Sequence, residues 1–584
     1  MVSDERALAM RLAARDDVTL ARTLALRGVS PSIGWHDFFD AAAGLLDAAS
    51  LDRALTRLPR TALIALSRTD AAAGASSDGT APPGSPALLL DDLGLLGEGR
   101  APFTTVIDRL GAVTARRPDA LTSAQPAATR AESGTRSAAA AAERAFTTAG
   151  SLADVLLACL QTPLTRTGAG TIGAPDRKRL TEAGAIETPE ELDDLMESAA
   201  AAGLAIARDR EWIVTDAGER WLASPTALRW TEIASGFRDA LPRGLRTASG
   251  GYFPPSGWAD TYPLDPEWPA RAARLAQIAA RWGLLDADGA EPAWTASLRQ
   301  GGPADPTEMV AHLPAEIDRV YLQADLTAIA PGPLAPHLDL RLRTVALRES
   351  RAQASTYRFT AESIGRGMTE GETAASIREF LAELSLTGIP QPLDYLIEST
   401  AARHGLVRVR VDAASGRTRV ESADPGLVET IAIDHALRAL GLVADGDALS
   451  SRVARDPVYW ALADARYPVM AQDESGVPES LHRRSSAAHA AAASDPSAVY
   501  ARLIGVLRGG QGTDGEAAWL GRELELAVRA RTEIIVVVRM PDGTDRPLRL
   551  EATGLGGGRL RGRDRAADIE RTLPVSSIVS VRPA

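Results

Sequence analysis

The sequence predicts a multidomain α+β protein, mostly α-helical, and three observations predict it. The chain is 584 residues long, beyond what one hydrophobic core supports, so roughly three to five domains are expected. Ala-rich stretches dominate it, with apolar residues recurring every three or four positions, the period of amphipathic helices. Near its end that period gives way to short β-branched runs divided by Asp-Gly and Gly-Gly turns, the signature of a small β-barrel.

The elements follow in order. Residues 1–69 form an N-terminal helical region, and 70–86 (DAAAGASSDGTAPPGSP at its core) a linker too small and polar to order itself. A short helical segment, 87–113, precedes a second linker, 114–142. Residues 143–222 carry three helices and a two-stranded ribbon, which is a winged-helix pattern. Pro175 opens the second helix, and Thr188 is placed to cap the third. A Trp-containing helical region, 223–300, ends in a Gly/Pro-rich segment. Residues 315–422 open on a strand, YLQADLTAIAPGPL, and close on three helices and the hairpin LVRVRVDAASGRTRVES, again a winged-helix pattern. A strand–helix–strand unit (426–472), a third linker (473–497) and a helix plus small barrel (498–584) complete the chain.

Composition narrows the function. The net charge of −12 excludes a surface coated in basic groups for general nucleic-acid binding. Lys178 is the only lysine, so the arginine excess reflects coding bias before it reflects function. The single cysteine, Cys159, lies in the apolar run ADVLLACL and reads as core, which fits a reducing compartment and excludes a disulfide framework. The N-terminus has no apolar leader, and no run reaches the roughly 18 apolar residues of a membrane span. A cytoplasmic protein with no membrane contact is expected.

Most catalytic chemistry lacks its motif. A phosphate-binding loop needs Gly-Lys-Ser/Thr after a Gly-rich turn, and Lys178 stands in PDRKRL instead. GAGTIG (168–173) spells a dinucleotide fingerprint but follows TPLTRT rather than a buried strand and falls between two helices, so it reads as a loop. Seven scattered histidines and one cysteine offer no metal-ligand spacing. Asp325 reads as a turn-facing acid without a partner that would make it catalytic. No enzyme activity, metal or cofactor is expected.

Nucleic-acid binding is the class that remains. The third helix of the first winged-helix pattern carries Glu190, Glu191, Asp193, Asp194 and Glu197, which repel phosphates and suit a structural or protein-binding role. In the later hairpin Val407, Val409 and Val411 alternate with Arg408 and Arg410, and Arg417 and Arg419 return on the partner strand. Period-two alternation turns the valines inward and lines the arginines along one outer face, where they would meet a phosphate backbone. A solvated, Arg-biased strand face is the simpler alternative. Arg559, Arg561, Arg563 and Arg565 repeat the spacing in the C-terminal barrel, with the same two readings.

Gln323, Asp325, Leu326 and Thr327, with Pro331-Gly332-Pro333, Tyr357-Arg358-Phe359-Thr360, Pro390-Gln391-Pro392-Leu393 and Arg403-His404-Gly405, carry a family resemblance. The block resembles the region N-terminal to the motor of bacterial XPB-type DNA helicases. It is closer to actinobacterial helicase-associated proteins that carry this module without a motor. The resemblance implies an accessory role in DNA transactions, with DNA or proteins of repair or transcription as partners. The alternative is an interaction scaffold or ligand-sensing regulator that never touches DNA. The C-terminal segment, notably GLGGGRLRGRDRAADIERTLPV, resembles a WYL domain, a ligand- or nucleic-acid-sensing module, with Val536-Val537-Val538 in place of its signature.

Overall fold

The computed structural model of the chain describes residues 3–68, 85–122, 133–350, 354–473, 475–479, 481, 495–510, 515–565 and 567–583. Helices predominate over four small sheets, so the architecture is the mixed, mostly helical α+β one expected. The linkers expected at 70–86, 114–142 and 473–497 lie partly outside the described residues. Within the second of them, helix Thr135–Gln161 has already begun. The chain divides into two compact units, one of Met1–Thr129, Leu241–Leu275 and Ala491–Ala584, the other of Arg130–Ala240 and Ala276–Ala490.

The first unit gathers short N-terminal helices around Leu8, Leu12, Leu20, Leu24, Leu45 and Leu55. Ser3, Asp16, Asp37 and Asp47 each cap a helix by accepting a backbone N–H. Helix Pro496–Gly509 contributes Tyr500, Leu503, Ile504 and Leu507 to this core, and the Tyr500 hydroxyl donates to the Val29 carbonyl at 2.6 Å.

Glu523, on helix Gly515–Ala530, is a mostly buried acid. It accepts from the Ser3 hydroxyl at 3.2 Å, while its other oxygen has no hydrogen-bond partner and lies 3.9 Å from Arg6. Burial pushes its pKa up. A raised folded-state pKa gives stability that is complete below the ordinary glutamate pKa and lost as pH rises through the folded value. Glu523→Gln, neutral throughout, is therefore expected to raise the urea midpoint at pH 7 and flatten its fall between about pH 4 and 7. A parent-like midpoint and pH profile would refute this reading.

The C-terminal segment differs from expectation. It forms an open five-stranded antiparallel sheet, in the order Ile569–Pro574, Arg559–Asp564, Asp545–Gly556, Glu533–Arg539, Ile578–Pro583. Its two outer strands do not pair with each other, so no closed barrel exists among the described residues. The helix explains why closure is unnecessary. Leu520, Leu524 and Ala527 cover the face made by Ile534, Val536, Leu550, Leu560 and Val581, burying the apolar side that a barrel would otherwise enclose.

The second unit begins with helices Thr135–Gln161, Ala174–Glu182 and Glu191–Ala201. They accompany a three-stranded sheet in which Glu211–Val214 lies between Leu164–Thr165 and Ala205–Arg208. Thr188 is not the cap of the third helix. Glu191 instead folds back to accept the N–H of Glu187 at 2.6 Å and of Thr188 at 3.4 Å. The Cys159 thiol is buried, its pKa pushed up to about 11, and it donates to the Trp212 carbonyl. Buried tryptophans brace this unit. Trp230 donates to the Trp282 carbonyl at 2.8 Å and Trp282 to the Ser198 hydroxyl at 2.9 Å. Gly236 allows the helix Thr226–Ala240 to approach Ala202 so closely that a β-carbon there would lie 2.6 Å from its Cα.

Residues 317–401 then form one core, around Val320, Leu342, Tyr357, Ile377, Phe380 and Ile397. The opening stretch is two strands, not one. Tyr321–Leu322 turns back through Asp325 and pairs with Thr327–Ala330, which pairs in turn with Ser355–Arg358 and, beyond it, Leu347–Ser350. Asp325 accepts from the Thr327 hydroxyl (2.6 Å) and N–H (3.2 Å), with Leu326 at φ 67°. It is a turn residue.

Candidate nucleic-acid interface

Three helices lead to the arginine hairpin. Ala361–Thr369 and Ala374–Leu384 each start on a capping box, Thr360 with Ser363 and Thr373 with Ser376. Gln391–Ala401 starts after Pro390 and carries Pro392 in its first turn, where a missing N–H is harmless. The chain leaves that helix through Gly405 at φ +76°, where a β-carbon would press on Met470 at 3.1 Å.

The hairpin, Val407–Val411 with Thr418–Ser422, turns its valines inward as the alternation predicts; Val407, Val409 and Val420 are buried. It is not a free two-stranded wing. Both strands lie inside a six-stranded sheet, with Ala448–Ser451 against Thr418–Ser422 and Val469–Gln472 parallel to Val407–Val411. The hairpin also belongs to a second core, with Ile431, Leu449, Tyr459 and Leu462, and not to the core of the three helices before it. The two cores meet where the Tyr459 hydroxyl donates to the Thr369 carbonyl at 2.8 Å.

The predicted arginines share the outer face but differ in freedom. Arg410 stands directly opposite Arg419, and Arg408 opposite Glu421. Like charges in register repel, and Glu421 offsets this by accepting from Arg410 at 3.0 Å and from Arg419 at 2.5 Å. Burial alone would raise the Glu421 pKa, but those two guanidinium hydrogen bonds outweigh it and hold the carboxyl low. Arg419 also reaches Asp445 (3.3 Å) and Asp447 (3.2 Å). Arg408 and Arg417 are exposed, and their guanidinium groups have no ion pair or hydrogen bond among the described residues.

Arg559, Arg561 and Arg563 stand in the other unit, on the exposed face of strand Arg559–Asp564, alternating with buried Leu560 and Gly562. Arg563 pairs with Asp568 at 2.7 Å, and neighbouring Arg565 with Glu551 at 2.8 Å. Arg559 and Arg561 are unpaired among the described residues.

Three acids of the helix Glu191–Ala201 are engaged by arginines of the same unit. Asp193 accepts from Arg177 at 2.5 Å, and Glu191 and Asp194 lie 2.9 and 3.7 Å from Arg281. A two-residue strand, Leu164–Thr165, does precede the glycines of 168–173, which make a loop closed by a Thr167–Thr171 backbone hydrogen bond, with the Arg166 guanidinium over Gly170. No group of three or more metal-ligating side chains occurs among the described residues, and none of their helices is long and apolar enough to cross a membrane.

One surface residue escaped sequence reasoning. Tyr395, on helix Gln391–Ala401, is 73% exposed, while Leu393, Ile397 and Thr400 on the opposite face are buried. The helical period of QPLDYLIEST places it there, so an aromatic on a polar face was the available signal.

Residues 320–445, roughly a fifth of the chain, match a family described as the helicase conserved C-terminal domain. The match spans the four-stranded sheet, the three helices, the arginine hairpin and the strand that carries Asp445. No curated protein matches the chain. The similarity is to a helicase-associated domain.

Proposed function

We propose that the protein is a non-catalytic accessory factor of helicase-related DNA transactions, binding DNA through the hairpin Arg408/Arg410/Arg417/Arg419. The observation that carries this reading is the helicase-domain similarity over 320–445, because it falls on the segment holding the hairpin arginine face expected from sequence to track phosphates. In this reading the module is XPB-like and its helices and hairpin serve as a winged helix, with DNA or a repair or transcription protein as partner in the cytoplasm. The C-terminal sheet over its helix serves as a WYL-like sensing module, with Arg559, Arg561 and Arg563 as a lesser phosphate-binding set.

Affinity for DNA is expected to fall steeply with salt. Replacing Arg408, Arg410, Arg417 and Arg419 together by alanine flattens the log–log slope by about one unit for each phosphate no longer neutralised. Anisotropy titrations of single-stranded, duplex and forked DNA across a salt series measure this. Salt-independent binding, or ATP turnover by the pure protein, refutes the reading. A scaffold that docks another protein is the second reading, favoured by the ion pairs that occupy Arg410 and Arg419. An unchanged slope in the quadruple variant supports it.

A further inference from the structure

Among the described aromatic side chains Tyr395 is the most exposed, in a chain that buries Trp221, Trp230, Trp258, Trp282, Tyr357 and Tyr459 almost completely. Its helix is electrostatically lopsided. On one edge Asp394 and Glu398 both accept from Arg378, at 2.6 and 2.5 Å, which leaves two carboxylates to one guanidinium. On the other edge, one turn past Ser399, comes Arg403, whose Nε donates to the Ser399 carbonyl at 3.1 Å. The chain then enters the strand holding unpaired Arg408. A helix inserted in a major groove meets a phosphate backbone on both edges, and here one edge would repel it. A single strand has one backbone, and it can run along the arginine edge alone.

We propose that the exposed face of helix Gln391–Ala401 is a platform for single-stranded DNA, on which a base stacks against the Tyr395 ring while the phosphates follow Arg403 and Arg408. The inference rests on the DNA-binding reading above and gives it a substrate form. An aromatic platform beside a cationic track binds single strands with little sequence preference, because every base offers a π-face. The tyrosine supplies a stacking surface that a duplex, with its bases stacked on one another, does not use.

The test is fluorescence anisotropy of the full chain with labelled oligo-dT and with a labelled duplex of equal length. Tyr395→Ala, at a solvent-facing position, is expected to weaken oligo-dT binding about ten- to hundred-fold and leave duplex binding and the salt slope unchanged. Tyr395→Trp restores the affinity, and its emission is quenched on binding. If Tyr395→Ala binds oligo-dT like the parent, or the parent prefers duplex, the platform is refuted while salt-dependent DNA binding stands. If the parent binds neither DNA, both readings fail.

Discussion

Replacing Asp154 by leucine is expected to destabilise the unit that holds it by about 3–5 kcal/mol, the cost of stripping one partner from a buried ion pair. The Asp154 side chain is only 4% exposed. It accepts from Arg343 at 2.7 Å and from Arg348, both mostly buried themselves. Asp339 stands behind them, 3.6 Å from Arg343 and 3.8 Å from Arg348, and accepts from the Tyr357 hydroxyl at 2.6 Å. Burial would lower the Arg343 pKa, yet Asp154 and Asp339 hold it above the usual value. Without Asp154, two guanidinium groups share one carboxylate. An opening of about 490 Å³ beside them, lined in part by Arg343, Arg348 and Arg366, is large enough to hold water, which places the expected loss near the lower bound. Urea unfolding followed by the fluorescence of Trp230, Trp282 and Trp294 reads the effect. Adding Arg348→Met to Asp154→Leu is expected to recover part of it, since the two changes are coupled. A parent-like midpoint for Asp154→Leu would show the network to be energetically idle.

Arg229→Ala is expected to cost about 2–4 kcal/mol in the same assay, by a different mechanism. Arg229 is buried, yet its guanidinium hydrogen bonds go to carbonyls: Nε donates to Trp221 at 3.0 Å and Nη2 to Leu222. These belong to the last turn of helix Asp216–Ala223, where the Trp221 carbonyl also accepts from the Ser224 N–H at 3.1 Å. The cation also faces the negative end of that helix and stacks 5.0 Å over the Trp221 ring. Burial lowers its pKa to about 10, still above neutral, so it remains charged at pH 7. Trp221 returns a hydrogen bond to the Arg229 carbonyl at 3.0 Å, so alanine keeps that link while taking the guanidinium donor from the Leu222 carbonyl and opening a void. Arg229→Lys, with a compact ammonium in place of the planar fork, is expected to recover only part of the loss. Arg229→Ala at the parent midpoint would mean that water satisfies the Leu222 carbonyl.

Local chemistry was the legible part of this molecule. The inward valines of the hairpin and the strand–helix–strand order expected within 426–472 are written in neighbouring residues. What escaped depends on distant ones. Asp154 sits in the apolar run LADVLLACL, which announces a buried partner, but the partners lie 189 and 194 residues away. The arginine hairpin looked bare because Asp445 and Asp447, which engage Arg419, come 26 and 28 residues later. The expectation of a barrel fails for the same reason. The strands were visible, but whether a sheet closes depends on what covers its apolar face, and here a helix outside the strand pattern does so. Tyr395 was within reach, because its placement follows from helical period alone.

The parallel pairing of Val469–Gln472 with Val407–Val411 has a consequence for where this domain ends. The helicase-like similarity stops at residue 445. The strand that completes the sheet on that side arrives more than twenty residues later, followed by its short neighbour Pro478–Glu479. A fragment cut at the similarity boundary would present the whole Val407–Val411 edge unpaired, an open template for strand addition by another chain. During synthesis that edge has no partner strand until residue 469 has emerged. The unit of folding is longer than the unit of family resemblance.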